Sequence, residues 1–290
     1  MLAATHPPAV RWGHRTGALD LGAPVLMGVL NVTPDSFSDG GLFADPARAA
    51  ERAEAMVAEG AAIIDIGGES TRPGAQPLGA DEEIERVLPV LRLVRSRMDV
   101  PISIDTRRAA VARAALDAGA DIVNDVSALA DPEMPRVVAA SGAALVLMHM
   151  RGTPATMQVD PMYGDVAAEV TAELGERLRV ARDAGIEEDR IVVDPGIGFG
   201  KTQGHNLELI SRLDLLTTLG RPVLLGVSRK AFLGALLGGA PASERGVATA
   251  AACVAGLFKG ARVFRVHDVR IVREALQVAE AIRTAPSPAT

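Results

Sequence analysis

The sequence predicts an α/β fold, a single (β/α)8 TIM barrel, on three observations. Short β-branched runs recur eight times along the 290 residues, and amphipathic or alanine-rich stretches of helical length lie between them. The runs stay apolar throughout, as in AAIIDIG, AALVLMHM and RIVVD, rather than alternating with polar residues. They therefore read as strands buried on both faces beneath helices. An open doubly wound sheet uses the same alternation of elements and is the competing architecture.

In chain order, strands are expected at residues 24–32, 61–67, 101–105, 121–125, 143–150, 190–194, 222–228 and 261–267. Helices are expected at 45–59, 81–97, 107–118 and 163–184. Asp45 stands before Pro46, and Asp81 is followed by two glutamates, so both positions suit a helix start. Gly60, Gly119 and Gly185 follow helical stretches and suit the left-handed turn that ends them. No repeat, low-complexity tract or linker divides the chain. The expected organisation is a poorly ordered segment at 1–13, one barrel domain at 14–283 and a flexible tail at 284–290 (TAPSPAT from 284).

Composition bounds the function. A net charge of −6 argues against a nucleic-acid surface. One cysteine, Cys253, excludes an internal disulfide, and no Cys/His cluster suits structural zinc. No apolar run is long enough to span a membrane, and the N-terminus lacks a signal-peptide core, so a cytoplasmic location is expected. Aromatics are only 3%, which leaves Val, Ile, Leu and Ala to build the core. Lys201, Lys230 and Lys259 are the only lysines among 30 basic residues, the other 27 being arginine. Base composition of the gene explains such a bias, yet it draws attention to the lysines that remain.

A barrel gathers the C-terminal ends of its strands into one mouth. Those ends carry Asn31, then Glu69 to Arg72, Asp105, Asn124-Asp125, His149, Asp194, Ser228 to Lys230, and Arg265 with His267. Polar groups at nearly every strand end are not what hydrocarbon burial selects. Asp125 and Glu69 suit structural roles, pinning backbone amides or neighbouring loops. Asp105, Asn124 and Asp194 supply acceptors and one amide, a set suited to a flat heterocycle rich in N–H donors. Arg72, Lys230, Arg265 and His267 form a cationic set, part of it on the last two strands, where barrels often bind phosphate. Asn31 adds an oxygen of the kind Mg2+ uses beside substrate phosphates. Two polar, glycine-rich loops, 33–41 and 69–75, are suited to closing over a ligand.

Two familiar motifs fail. Gly200-Lys201-Thr202 resembles the end of a phosphate-binding loop, but Pro195 stands where its first glycine is required. Gly196-x-Gly198-x-Gly200 lacks the dinucleotide-binding spacing. Cys253 lies in an alanine-rich helical stretch and reads as core, and His149 reads as a satisfied residue of the pocket wall.

The strings MGVLNVTPDSFSDGG, IDIGGESTRPGA, SIDT, NDVS, LMHMRG, VVDPGIGFGKT, GVSRKAFLG and RVHDV, in this order from about Met27 to the last helix, resemble the dihydropteroate synthases of folate biosynthesis. The resemblance implies condensation of 6-hydroxymethyl-7,8-dihydropterin diphosphate with p-aminobenzoate, giving dihydropteroate and pyrophosphate. It implies that Asp105, Asn124, Asp194 and Lys230 hold the pterin, with Met148, Phe199 and Gly226 lining its pocket. Asn31 would coordinate Mg2+, and Asn31, Arg72, Arg265 and His267 would gather round the diphosphate. Thr71, Pro73, Phe199, Ser228 and the stem of Lys230 would form the p-aminobenzoate site, with Asp35 and Phe37 brought over it by the first loop. In catalysis Asp35, Lys230, Arg265 and His267 would act directly, Asp35 facing the developing pterin-methyl cation. Phe37 and Pro73 stand where response to sulfonamides would be tuned, and the family's usual homodimer would use helices near the C-terminus. Two other readings are a methyltetrahydrofolate methyltransferase, which needs neither the SRK and RxH set nor the STRPG loop, and a pterin-binding paralogue without turnover, in which the first loop should be lost.

Overall fold

The computed structural model describes residues 11–32, 45–69 and 78–286. An antiparallel hairpin, β1 (Arg11–His14) and β2 (Gly17–Asp20), precedes the barrel. The barrel strands follow as β3 (Val25–Asn31), β4 (Ile63–Gly67), β5 (Ile102–Asp105), β6 (Ile122–Asp125), β7 (Ala144–Met148), β8 (Ile191–Asp194), β9 (Val223–Leu225) and β10 (Ala261–Val266). Each pairs in parallel with the next, and β10 closes on β3 through Val263 opposite Val25 and Arg265 opposite Met27. This closed sheet is the TIM barrel expected, not the open sheet. No described helix is long and apolar enough to cross a membrane.

The helices lie between successive strands. Described are α1 (Pro46–Glu59), α2 (Ala80–Arg97), α3 (Ala109–Asp117), α4 (Met134–Ser141), α5 (Val166–Asp183), α6 (Gln203–Ser211), α7 (Asp214–Thr217), α8 (Ala231–Leu236), α9 (Gly246–Phe258) and α10 (Val269–Arg283). Asp45 caps α1 as expected, its side chain accepting from the Ala47 amide at 2.9 Å with Pro46 in the first turn. At α2 the cap is Gly79, two positions before the expected start at Asp81. Asp81, Glu82 and Glu83 instead fill the first turn, where the helix dipole favours negative charge. Several other ends lie one to three residues inside the expected bounds, while those at Gly67, Asp105, Asp125 and Asp194 fall where expected. β9 stops at Leu225, and the residues from Gly226 to Ser228 leave the ladder to form the mouth.

Two apolar layers hold the barrel. Outward residues such as Ile64, Ile66, Ile104, Leu145 and Phe264 pack against the helices. Met27, Ile63, Ile122, Val146, Val192, Leu224 and Val263 face inward and fill the lower barrel with Trp12. The hairpin closes that lower end: Trp12 is fully buried and its Nε1 donates to the Arg190 carbonyl at 2.9 Å. The expectation of disorder through Gly13 is therefore corrected, since 11–13 belong to β1 and anchor the plug. Above this apolar layer the inward positions of the strands turn polar.

Candidate active site

Inward alternation places Asp65 (β4), Asp105 (β5), Asn124 (β6), Asp194 (β8) and Arg265 (β10) inside the barrel toward its top. The Arg265 guanidinium joins two of them, donating from Nε to Asp65 at 2.6 Å and from Nη2 to Asp105 at 2.6 Å. Asn124 Nδ2 donates to the same Asp65 oxygen at 3.2 Å. Burial pushes the Asp105 carboxyl up to about 7, with Asp65, Glu83 and Asp125 adding to it and Arg265 opposing it. Burial also raises the Asp194 carboxyl, against the pull of Lys230, the Gly196 amide, Arg265 and Lys201. Carboxyls held this way gain most from a ligand that brings its own N–H donors.

The loop after β8 forms the next wall. The Gly196 amide donates to Asp194 Oδ1 at 2.7 Å, and the Gly198 amide to Asn206 Oδ1 at 2.7 Å. Gly196 has φ +66, and a Cβ there would lie 1.8 Å from the His149 carbonyl oxygen, so this close crossing requires glycine. The Lys230 ammonium lies over the Phe199 ring, 4.5 Å from its centroid. Lys230 also donates to the Ile197 carbonyl, and burial lowers its ammonium to about 8. Met148 pairs in register with Asp194 and is buried, and a Cβ on Gly226 would meet Asp194 Oδ2 at 3.6 Å. The residues expected to hold and line the pterin thus converge on one pocket floor.

A second group lies at the β3, β9 and β10 ends. The Ser228 hydroxyl accepts from the His267 amide at 3.1 Å and lies 3.0 Å from its Nδ1. The other ring nitrogen of His267 is 3.5 Å from Asn31 Nδ2, and Arg52 donates to the His267 carbonyl at 3.0 Å. Arg265, expected beside a diphosphate, is instead held by the two carboxylates of the floor. Asp125 and Glu69 have the structural roles expected of them. Asp125 accepts from the Ser127 and Leu129 amides, and Glu69 from the Leu78 amide, Arg107 and Arg108. Burial would raise the Glu69 carboxyl, but Arg108 and Arg107 hold it at about 2. Asp35 and Phe37, in 33–44, and Thr71, Arg72 and Pro73, in 70–77, lie outside the described residues. Among the described residues no three of His, Cys, Asp and Glu cluster to hold a metal by themselves.

Comparison with known proteins decides the family. Residues 27–267 match the family described as pterin binding enzyme. A dihydropteroate synthase of Synechocystis is 46% identical over 272 residues, covering 93% of this chain and 91% of its own. The chain belongs to the dihydropteroate synthase family. The structure of the Xanthomonas albilineans dihydropteroate synthase with 4-aminobenzoic acid superposes with a TM-score of 0.90 at 42% identity, covering 96% of this chain and all of that one. The same enzyme in complex with 7,8-dihydropteroate gives 0.85 at 37% identity, over 96% of this chain and all of the other. As a dihydropteroate synthase the chain is a transferase, and the match covers the whole barrel that carries the site.

Sequence reasoning missed two polar residues of this region. Asp65 is hidden inside the apolar string IIDIG, where a charge in a strand buried on both faces was itself the signal. Lys201 was set aside with a failed motif, yet it is only 3% exposed.

Proposed function

We propose that the barrel mouth transfers the 7,8-dihydropterin-6-ylmethyl group from its diphosphate to the amine of p-aminobenzoate. The observation that carries this reading is the floor of Asp105, Asn124 and Asp194 with Lys230 above it, a buried acceptor set for a flat, donor-rich ring. The complexes of the Xanthomonas enzyme with 4-aminobenzoic acid and with 7,8-dihydropteroate support it from the side of a relative.

In this account Asp105, Asn124 and Asp194 accept from the pterin edge, while Met148, Phe199 and Gly226 line the ring. Pterin binding supplies donors to Asp105 and frees Arg265 to turn toward the diphosphate beside His267, Asn31 and Arg72. Thr71, Pro73, Phe199, Ser228 and the Lys230 stem receive p-aminobenzoate, with Asp35 and Phe37 above. The methylene–oxygen bond breaks and pyrophosphate leaves with the electron pair. The arylamine lone pair forms the new C–N bond and the amine loses one proton to water. Bond breaking runs ahead of attack, because neutral arylamine needs no strong base and the electron-rich ring stabilises the cation.

Asn31 fits a role at Mg2+: its amide nitrogen lies 3.5 Å from His267 Nε2, and its side-chain oxygen is a donor of the kind Mg2+ takes. One protein oxygen with substrate phosphates is how Mg2+ is commonly held, and the ion would neutralise leaving-group charge. Apolar side chains exposed on α9 and α10, among them Val247, Phe258, Val278 and Ile282, support assembly as a homodimer.

The direct check is product mass. Pterin diphosphate, p-aminobenzoate and Mg2+ should give dihydropteroate, and a sulfonamide should compete with p-aminobenzoate alone. Across ring-substituted p-aminobenzoates, turnover should depend only weakly on amine basicity. A steep dependence would contradict the order of bond changes.

A further inference from the structure

Lys201 belongs to no step above, yet it is the most buried cation near the floor. Its ammonium donates to the Phe199 carbonyl at 2.9 Å and to His149 Nδ1 at 3.0 Å. His149 continues the line, its Nε2 lying 3.0 Å from Glu173 on α5, and Glu173 also pairs with Arg151. With Lys201 donating to Nδ1, the ring proton sits on Nε2 and points at the Glu173 carboxylate. The line therefore runs from the back of the pterin floor to a half-exposed acid. A Cβ on Gly196 would be 3.5 Å from the Lys201 ammonium, and the Gly196 amide is the one that holds Asp194.

We propose that Lys201 is a positioning residue of the pterin pocket, fixing the loop after β8 through Phe199 and supplying from behind the charge that keeps Asp194 a carboxylate. The proposal rests on the reading of Asp194 as a pterin acceptor. Facing Lys201 are His149 and Arg151 from the loop after β7, Glu173 from α5, Asp194 from β8 and Lys230 from the loop after β9. Facing Asp194 are Lys230, Arg265, Lys201 and the Gly196 amide. Burial lowers the Lys201 ammonium to about 7, and Asp194 works against that fall, so the two groups favour each other's charge. Guanidinium, bulkier and bound to planar partners, does not replace an ammonium donating to one carbonyl and one ring nitrogen.

The test is calorimetric binding of 6-hydroxymethyl-7,8-dihydropterin to the wild type, Lys201→Gln and Asp194→Asn from about pH 5 to about pH 9. Lys201→Gln should weaken binding about tenfold near neutrality and move the acid limb up by about one pH unit. The difference between the two curves should narrow toward alkaline pH, where Asp194 is ionised in both proteins, leaving the pH-independent part that comes from fixing the loop. A loss equal at every pH means a merely structural role and overturns the proposal, as does unchanged binding. If the wild type binds no pterin, the functional reading itself fails. If Asp194→Asn abolishes binding while Lys201→Gln matches the wild type, only this inference fails. Should Lys201→Gln not fold, 13C-lysine spectra of a chain with three lysines give the same answer. Lys201, assigned with Lys230→Arg and Lys259→Arg, should titrate lower in Asp194→Asn, and an unmoved midpoint overturns the proposal.

Discussion

Asp65 sits between Ile64 and Ile66 with no exposure, and Arg265 and Asn124 are what make a charge tolerable there. Asp65→Ala should leave Arg265 short of a partner inside the barrel and cost about 3–5 kcal/mol, read from the denaturant midpoint. A loss below about 1 kcal/mol, the size of an exposed pair, would show that Arg265 simply turns to solvent. Asp105 gives a pH signature. A carboxyl raised to about 7 stabilises the fold in its protonated form, fully below its usual range near 4, and that contribution is lost as pH rises through about 7. Pterin donors favour the ionised form, so the ligand-induced rise in unfolding temperature should grow between about pH 6 and 8, and Asp105→Asn should flatten it. At this scale Asp105, Asn124 and Asp194 could be read as residues of the mouth because they stand at or next to the ends of β5, β6 and β8, and Ser228 and Lys230 because they follow β9 within a few residues. Asp65 and Lys201 could not, since a polar residue inside an apolar string or a glycine-rich loop carries no positional sign of which way it points.

Loops, more than strands, decide how the mouth is set. Arg229 lies between Ser228 and Lys230 at φ +58, with its amide on Thr249 and its carbonyl taken by Arg245. Its guanidinium forms a two-point pair with Asp268, the neighbour of His267. The SRK and RVHD turns are thereby latched together, and Asp268→Asn should lower kcat about tenfold to hundredfold while pterin affinity stays within twofold or so. Equal losses in both would show that the latch reaches the pterin floor. Gly196→Ala should abolish pterin binding, because the left-handed backbone and the His149 carbonyl both exclude a side chain. Helix caps such as Asp45 with Pro46 were readable from local chemistry. Some strand ends were overrun by one to three residues, as at β9, since apolar residues such as Val227 continue past the last ladder bond and only the tertiary bend shows where pairing stops.

Across the whole molecule, function and stability occupy opposite ends of the barrel. The polar residues of the proposed site are at the top, while Trp12 and Leu21 close the apolar lower half. The barrel itself was legible from eight buried runs in order. The hairpin was not, because two four-residue strands joined by Arg15-Thr16 are too short to show a period. As the only tryptophan, Trp12 reports on that end directly. Trp12→Ala should cost about 3–5 kcal/mol, seen as a lower unfolding midpoint, with the pterin dissociation constant unchanged in the folded protein. The central claim, that this mouth joins a pterin methylene to an arylamine, is tested most directly by pyrophosphate release with pterin diphosphate and Mg2+, with and without p-aminobenzoate, in the wild type and in Asp105→Ala. The account predicts release that requires p-aminobenzoate and collapses in Asp105→Ala. Pterin binding with no release, or release untouched by the substitution, would contradict it.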